Sequence, residues 1–542
     1  MTKKNNSIYY SPNLIFPRID IFSNDNSRKR QLKDSLYEEE NEYDEIITTT
    51  KSKLIKGVKN DTIADEVYPK LIIKLGLLFP FYGNFPFTLE KVYGTILLAS
   101  RKANNLYFRK FIHINSNGQF KNKIKKNGVK FKAELRLVFA DTGSVDSEKT
   151  IYYECSEDFA TYHAGRLYYR IKISAFLGPL CYLTFVSVAY LSSRWGLPII
   201  TSLGPGATNP SVWPTLLRTG MKTTDLHSAN LALINIYGWN DYFFLSEDQY
   251  SDLGLNSLDF SLLILQNSIP PPIATYKINS SLVRLDYNLI YPLVYGSTFA
   301  RIFVLSTSVS TTKKILLDAY DLGMLTQGDY VFITVQLWKC DCLGGTYFDF
   351  EQDSRKEAYE SLIVISAKVD DNKETIEFKN HIKNFSSKLW YFGNDFKNEE
   401  ISIALSGLYE GLLIYAQALK EHLEEGGNVN EGNIIADMGI ISIDNEGDRI
   451  LDYNIWDFDP KTFKWKPALV FISEENILLP QDGYEMHWPI RLEPPPNEPK
   501  CGFRDQFPSE EEVELGNVSK ILANSLNGQS ERSAFHQLEA EI

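Results

Sequence analysis

The chain contains 542 residues, of which 44% are hydrophobic and 23% are charged, and its formal net charge is −13. This length is enough for two or three lobes with a substantial hydrophobic core. The acidic balance argues against a general nucleic-acid-binding protein, because such proteins use positive charge to neutralise phosphates. The cysteine count of five is odd, so at least one thiol is free or paired between chains.

The ends of the chain differ in composition from its middle. Residues 1–68 are polar, contain charge runs such as Arg28-Lys-Arg30, and lack the apolar stretch of a secretory signal peptide. Residues 504–542 are acidic and polar, and they follow a stiff proline-rich segment that begins at Pro494. Both ends have the composition of disordered chain. We therefore expect one folded region over residues 69–503, flanked by a disordered arm and a disordered acidic tail.

Strands and helices alternate through the first part of this region. Apolar or alternating segments predict strands, over residues 71–79, 131–140, 175–177 and 197–201. Apolar residues spaced three or four apart predict helices, one after Thr88 and others over residues 157–172 and 182–195, the last ended by Gly196. The basic, Asn-rich residues 104–128 are expected to form an inserted surface loop.

The stretch over residues 174–206 determines how these strands pair. It predicts a strand, a helix and a strand in a span so short that the two strands must be parallel. Ligands of open parallel sheets bind at the carboxyl ends of the strands. The candidate cleft residues at those ends are Gly178, Thr201, Ser202 and Gly204. The alternative is a membrane span, because residues 173–193 carry no charge, but Gly178-Pro179 would break such a helix.

A second series of strands and helices begins after Trp213. Helices are predicted from Thr224 and over residues 311–322, and strands over residues 242–245, 301–305 and 330–334. A helix over residues 405–423 precedes antiparallel strands over residues 439–443, 449–457 and 464–472. The repeated alternation predicts an α/β protein with two similar parallel-sheet lobes. The expected bounds are residues 69–220 with 400–436 for the first lobe, and residues 221–399 with 437–480 for the second.

The sequence contains no clear catalytic motif. Gly204-Pro-Gly206 lacks the third glycine of a dinucleotide fingerprint, and no phosphate-binding loop, zinc-protease motif or serine nucleophile elbow occurs. Cys340-Asp-Cys342 has no second Cys or His pair near it, as a zinc site would require. Asp457 and Asp459 are typical of a turn rather than of an acid–base pair. We therefore expect no catalytic site, no metal ion and no organic cofactor on this chain.

Several segments resemble the extracellular ligand-binding region of receptor guanylate cyclases, a family that includes natriuretic peptide receptors. Leu177-Gly-Pro-Leu-Cys181 is similar to the family's Leu-Gly-Pro-Gly-Cys, and Trp195-Gly-Leu-Pro-Ile-Ile-Thr201 to its Trp-x-x-Pro-Leu-Leu-Thr. Further similar segments are Gly328-Asp-Tyr-Val-Phe332, Gly447-Asp-Arg449, Trp456-Asp-Phe-Asp-Pro460, Trp488-Pro489 and the proline-rich run from Pro494 to Phe503. The resemblance covers residues 69–503.

This resemblance implies the type I periplasmic-binding-protein fold (the Venus flytrap), in which two Rossmann-like lobes are joined by three chain crossings. It also implies a homodimer that senses an extracellular peptide or small-molecule ligand and signals through rearrangement of the two chains. The cyclase domain and the membrane helix of the family are not found in this sequence, so membrane contact is expected only through segments absent from it. The implied location is the extracellular side of the plasma membrane. The alternative is a soluble, secreted binding or decoy protein of the same fold.

The resemblance also assigns roles to individual residues. It implies a disulfide between Cys155 and Cys181. It implies a bound chloride held by Ser147 and by the backbone N–H groups of Leu180 and Cys181, which suit an anion because they lie at a helix start. Leu180 replaces a glycine of the family, and the second-lobe cysteines of natriuretic receptors are missing. These departures favour a divergent or orphan receptor.

An extracellular location would permit N-glycosylation. Acceptor sequons in the folded region occur at Asn279-Ser-Ser and Asn384-Phe-Ser. The pairing of the remaining cysteines is left open by the sequence; these are Cys340, Cys342 and Cys501.

Overall fold

The computed structural model describes residues 70–81, 87–108, 112–113, 130–145, 152–153, 155–203, 212–247, 264–265, 267–278, 289–336, 345–369, 373–387, 401–427, 429 and 448–499. Within these residues the chain forms two large β-sheets and one two-stranded ribbon. Helices pack against both large sheets, and the central strands of each are parallel. The predicted α/β fold with two parallel-sheet lobes is therefore confirmed.

The first sheet has six strands in the order β2-β3-β1-β6-β7-β8. Their bounds are β1 Lys70–Phe79, β2 Ile112–His113, β3 Lys130–Asp141, β6 Ala175–Leu177, β7 Ile199–Thr201 and β8 Leu216–Arg218, while β4 Ser144–Val145 and β5 Tyr152–Tyr153 form the separate ribbon. All pairs in the sheet are parallel except β2 with β3. Leu77 and Leu78 of β1 lie on opposite faces of the sheet and are both fully buried, as expected for a strand covered by helices on both faces.

Three helices of this lobe follow the predicted pattern closely. They are α1 Leu89–Ala103, α2 Glu157–Arg166 and α3 Tyr182–Trp195. The expected surface loop over residues 104–128 is wrong at its start, because α1 continues as a π-helix over Asn104–Phe108 and buries Phe108 completely. Helix α2 likewise continues as a π-helix over Leu167–Ile171. Gly196 ends α3 with φ +66, the left-handed cap conformation predicted for it.

The second sheet has eight strands in the order β10-β9-β11-β12-β13-β14-β15-β16. Their bounds are β9 Tyr242–Glu247, β10 Ala274–Ile278, β11 Ile302–Ser306, β12 Val331–Gln336, β13 Leu362–Ala367, β14 Tyr453–Asp459, β15 Lys464–Ile472 and β16 Ile477–Pro480. Strands β9 to β13 are parallel, and β14 to β16 are antiparallel additions. The strand predicted over residues 449–457 begins later than expected, at Tyr453, and ends at Asp459.

The remaining helices are α4 Thr223–Ile236, α5 Ile290–Ser297, α6 Val309–Asp321, α7 Lys373–Ser386 and α8 Ile403–Glu424, with short 3-10 turns at Met324–Gln327, Tyr347–Gln352 and Lys356–Tyr359. Helix α4 begins at Thr223 with Lys222 as its N-cap, so Thr224 is not the cap that the sequence predicts. Helices α7 and α8 pack against α1 of the first lobe, although both follow β13 of the second. Within the described residues, none of the helices has both the length and the hydrophobicity required to cross a bilayer.

Candidate functional site

Three connecting segments, or crossings, between the lobes lie side by side: the first follows β8, the second follows β13, and the third precedes β14. The Arg218 carbonyl, at the end of β8, accepts a hydrogen bond from the Arg449 N–H at 2.9 Å. The Lys368 N–H, just after β13, donates to the Asp452 carbonyl at 2.8 Å, just before β14. Strands β8 and β13 both reach this point at their carboxyl ends. The carboxyl edges of the two sheets therefore converge here, and the cleft between such edges is where ligands of open α/β sheets bind.

A buried charge cluster holds two of the crossings together. Arg218 and Asp448 are each only 3% exposed. The Asp448 carboxylate lies 3.3 Å from Arg218 Nε and 3.0 Å from Lys222 Nζ. Removing one partner from a buried ion pair leaves an uncompensated charge and is strongly destabilising, so this cluster restrains the connection between the lobes. Sequence reasoning missed Arg218, because a single arginine after two leucines carries no recognisable signal.

The cluster extends to helix α8. The Arg449 guanidinium pairs with the Glu410 carboxylate on that helix and also lies 3.4 Å from the Thr219 carbonyl. Burial raises the pKa of Glu410 above its usual value, and the Arg449 charge only partly opposes this. The ion pair therefore links α8 of the first lobe to the third crossing.

The predicted cleft residues that are described lie at the carboxyl edge of the first sheet. Gly178 adopts φ +77, and a Cβ built on it would lie 2.9 Å from the Leu78 carbonyl oxygen, so the close approach requires glycine. The Thr201 hydroxyl donates to the Pro179 carbonyl at 3.2 Å, which ties the ends of β6 and β7 together. Gly204 lies outside the described residues.

Thr201 and Ser202 are fully buried, so their side chains face packed protein rather than an open cleft. Helix α8 covers this position: a Cβ built on Gly407 would lie 2.9 Å from the Ser202 Cβ. The Thr219 hydroxyl donates to the Gly407 carbonyl at 2.7 Å. The sequence indicates strand ends here but not their burial, because Gly407 follows Thr219 by 188 residues.

The carboxyl edge of the second sheet carries a polar network that the sequence analysis missed. The Glu247 carboxylate, at the end of β9, accepts a hydrogen bond from the Ser308 N–H at the start of α6, at 2.8 Å. The Tyr347 hydroxyl lies 3.2 Å from the Thr312 hydroxyl and 3.0 Å from that of Thr334. Burial raises the pKa of Tyr347, so its hydroxyl stays protonated and able to donate. These three hydroxyls are buried and hold α6 and the turn at Tyr347 against β12, so the half-buried Glu247 and Ser308 are the polar residues of this network nearest to solvent.

A disulfide joins Cys155 to Cys181, whose Cα atoms are 6.1 Å apart, as the family resemblance implies. Cys155 precedes α2, and Cys181 is the N-cap of α3, so the bond links the starts of two packed helices. Leu180 and Cys181 are buried, and the Cys181 carbonyl accepts from the Phe185 N–H at 2.8 Å. These two predicted chloride ligands thus lie where the helix dipole is positive. Ser147, the third, lies outside the described residues.

One of the two predicted glycosylation sites lies within the described residues. Asn384 is exposed near the end of α7, where the Ser386 side chain of its sequon is buried against α1. Asn279 lies outside the described residues. The same is true of Cys340, Cys342 and Cys501.

Comparison with known proteins identifies the family of the chain that forms this cleft. The family model described as the receptor family ligand binding region matches residues 143–461. The chain is 30% identical over 297 residues to receptor-type guanylate cyclase gcy-28 of Caenorhabditis elegans, covering 48% of this chain and 22% of that protein. It is 24% identical over 407 residues to atrial natriuretic peptide receptor 2 of Anguilla japonica, covering 68% and 37%.

A third relative is atrial natriuretic peptide receptor 3 of Rattus norvegicus, to which the chain is 25% identical over 309 residues, covering 52% of this chain and 55% of that protein. The matches thus span 22%, 37% and 55% of these three relatives. The family match covers both sheets in part and includes the disulfide and the crossings at Arg218 and Asp448. The chain belongs to the receptor family ligand-binding region.

Proposed function

We propose that the chain is the extracellular ligand-binding region of a receptor-type guanylate cyclase, and that ligand binding rearranges two copies of it. The main observation that supports this proposal is that the carboxyl edges of both sheets converge at three adjacent crossings. A ligand that touches both edges changes the angle between the lobes. The relatives named as natriuretic peptide receptors and as a receptor-type guanylate cyclase support this assignment.

The proposed ligand is a peptide or a small polar molecule. Glu247 and Ser308, both half-buried, offer hydrogen-bond partners on the second lobe. The net charge of −13 favours encounter with a cationic ligand over an anionic one.

Exposed aromatic residues on two packed helices of the first lobe support a homodimer. Phe159 and Tyr162 on α2, Tyr169 after it, and Tyr190 on α3 are between 44% and 62% exposed. Neighbouring exposed aromatic residues are enriched at protein–protein interfaces. The disulfide supports an oxidising compartment and therefore an extracellular location. A chloride at the start of α3, near Leu180 and Cys181, is part of the same proposal.

A chimeric receptor tests the proposal. Residues 69–503 are joined to the membrane helix and intracellular part of atrial natriuretic peptide receptor 2, and cyclic GMP is measured in cells exposed to natriuretic peptides and to fractionated peptide extracts. We expect at least one probe to raise cyclic GMP in a dose-dependent way. The response should be lost in Asp448→Asn, which disrupts the buried cluster, and retained in Asp321→Asn, which removes only an exposed ion pair.

The alternative, a soluble binding or decoy protein, predicts a different outcome. A probe that binds the isolated region but never changes cyclic GMP in the chimera would contradict the receptor proposal. Sequencing of the transcript beyond the codon for Phe503 provides an independent check, because a receptor requires a membrane helix downstream.

A further inference from the structure

Residues 484–497, here called the strap, run along the amino edge of the second sheet, opposite the cleft. At its start the strap is held by Asp457 of β14. Asp457 Oδ2 accepts hydrogen bonds from the Tyr484 hydroxyl at 2.9 Å and from the His487 N–H at 2.6 Å. His487 Nε2 lies 3.6 Å from a carboxylate oxygen of Glu360, two residues before β13. This first anchor fixes the strap across two neighbouring strands.

A second anchor lies before β12. Asp329 pairs with Arg491 of the strap and, at 2.6 Å, with Arg301 of the lobe itself. Gly328 has φ +64, and a Cβ built on it would collide with the carbonyl oxygen of Pro489. The strap therefore occupies the space that a side chain at residue 328 would need. The close approach is possible only with glycine at this position.

A third anchor lies before β9. Trp488 is only 7% exposed and packs edge-on against Trp239, with ring centroids 5.8 Å apart. The Trp239 Nε1–H donates to the Pro495 carbonyl at 2.9 Å. The Asn497 side chain accepts from the Asp241 N–H at 2.8 Å and donates to the Asp241 carboxylate at 2.5 Å. The strap is thus tied to β14, β12 and β9, which are separated by other strands of the sheet.

We propose that the strap is docked as a single unit on the second lobe, so that Pro499, at its carboxyl end, moves rigidly with that lobe. This inference rests on the proposed function, in which the following segment leads toward the membrane. Strand β12 has six residues and rises about 3.3 Å per residue, so cleft and strap lie about 20 Å apart on one rigid sheet. Movement of the second lobe at the cleft is thereby transmitted to the exit of the chain.

Hydrogen–deuterium exchange of the secreted full chain tests this without any ligand or cyclase activity, so its failure is distinguishable from failure of the proposed function. Three backbone N–H groups report on separate parts of the strap: those of Asp241, His487 and Arg491, the last of which donates to the Trp488 carbonyl at 3.1 Å. We expect Gly328→Ala to raise exchange at all three positions tenfold or more. Strands β9 and β11 to β13 should stay protected.

Gly323→Ala is the matched control. Gly323 also has a positive φ, +75, but no atom lies within 4 Å of a Cβ built on it, so the substitution causes backbone strain without touching the strap. Exchange in the strap should stay at the wild-type rate in this variant. Arg491→Ala provides a second perturbation from the side of the strap and should act like Gly328→Ala. Three results would each overturn the proposal. They are faster exchange only near residue 328, equal effects of the two glycine variants, and no protection of the strap in the wild type.

Discussion

Asp457 provides a prediction that can be worked through quantitatively. Its side chain is 1% exposed on β14, where its only described hydrogen-bond donors are the Tyr484 hydroxyl and the His487 and Phe458 N–H groups. Burial raises the pKa of Asp457 to about 6, and these hydrogen bonds oppose the increase only in part. The ionisable groups around it are Tyr484, Tyr237, His487 with its neighbour Glu360, and Lys466 on the adjacent strand β15.

The direction of this pKa change determines how the stability of the fold depends on pH. In the unfolded chain an aspartate has a pKa of about 3.9, so the folded state binds the proton more tightly. The resulting stabilisation is complete below about pH 4 and is lost as the pH rises through about 6. The unfolded and folded pKa values differ by about 2 units, which corresponds to about 3 kcal/mol of unfolding free energy. Asp457→Asn abolishes this titration, so the unfolding free energy of the wild type minus that of the variant should fall by most of this amount, about 2 kcal/mol, between pH 4 and pH 7, since the unfolded carboxyl is already about half ionised at pH 4.

Urea denaturation at several pH values, followed by tryptophan fluorescence, measures this difference. Tyr484→Phe is the matched control, because it keeps the carboxyl group but removes a hydrogen bond that lowers its pKa. In that variant the upper end of the pH-dependent interval should move to higher pH, while the lower end, set by the unfolded chain, should stay where it is. A difference between wild type and Asp457→Asn that stays constant from pH 4 to pH 7 would refute the assigned burial of this charge.

Three further predictions concern the disulfide, the helix α8 and the modification site. Replacing Cys155 and Cys181 by serine should lower the unfolding free energy by about 3.5 kcal/mol for a separation of 26 residues, and peptide mapping without reduction should recover the two cysteines as one linked pair. Gly407→Ala should cost about 1–3 kcal/mol in thermal or urea unfolding, because its Cβ would lie 2.7 Å from the Thr219 carbonyl, whereas Gly165→Ala, with open space around it, should not destabilise. Asn384→Gln should remove one glycosidase-sensitive mass from protein secreted by mammalian cells, since Asn384 is exposed; an unchanged mass would contradict its glycosylation.

The sequence alone determined the local structure and the family of this protein. Apolar runs and their periodicity predict β1, β3, α3 and β15 to within one residue or two, because a strand or helix that packs on a core must repeat its apolar residues at its own period. Gly196 ends its helix as predicted, because only residues tolerant of positive φ suit that position. The segments around Cys181 and Trp195, together with the proline-rich run from Pro494 to Phe503 and the other similar segments, indicate the receptor family.

Only the tertiary structure decided which distant residues meet. Ser202 lies under α8, the charge of Arg218 is buried against Asp448, and the Trp239 ring binds a carbonyl 256 residues further along the chain. Local periodicity contains no information on such pairs, because their energy depends on how sheets and helices pack after they form. Arg218 and Asp457 resemble surface residues in the sequence, since burial of a charge is decided by the neighbours that surround it.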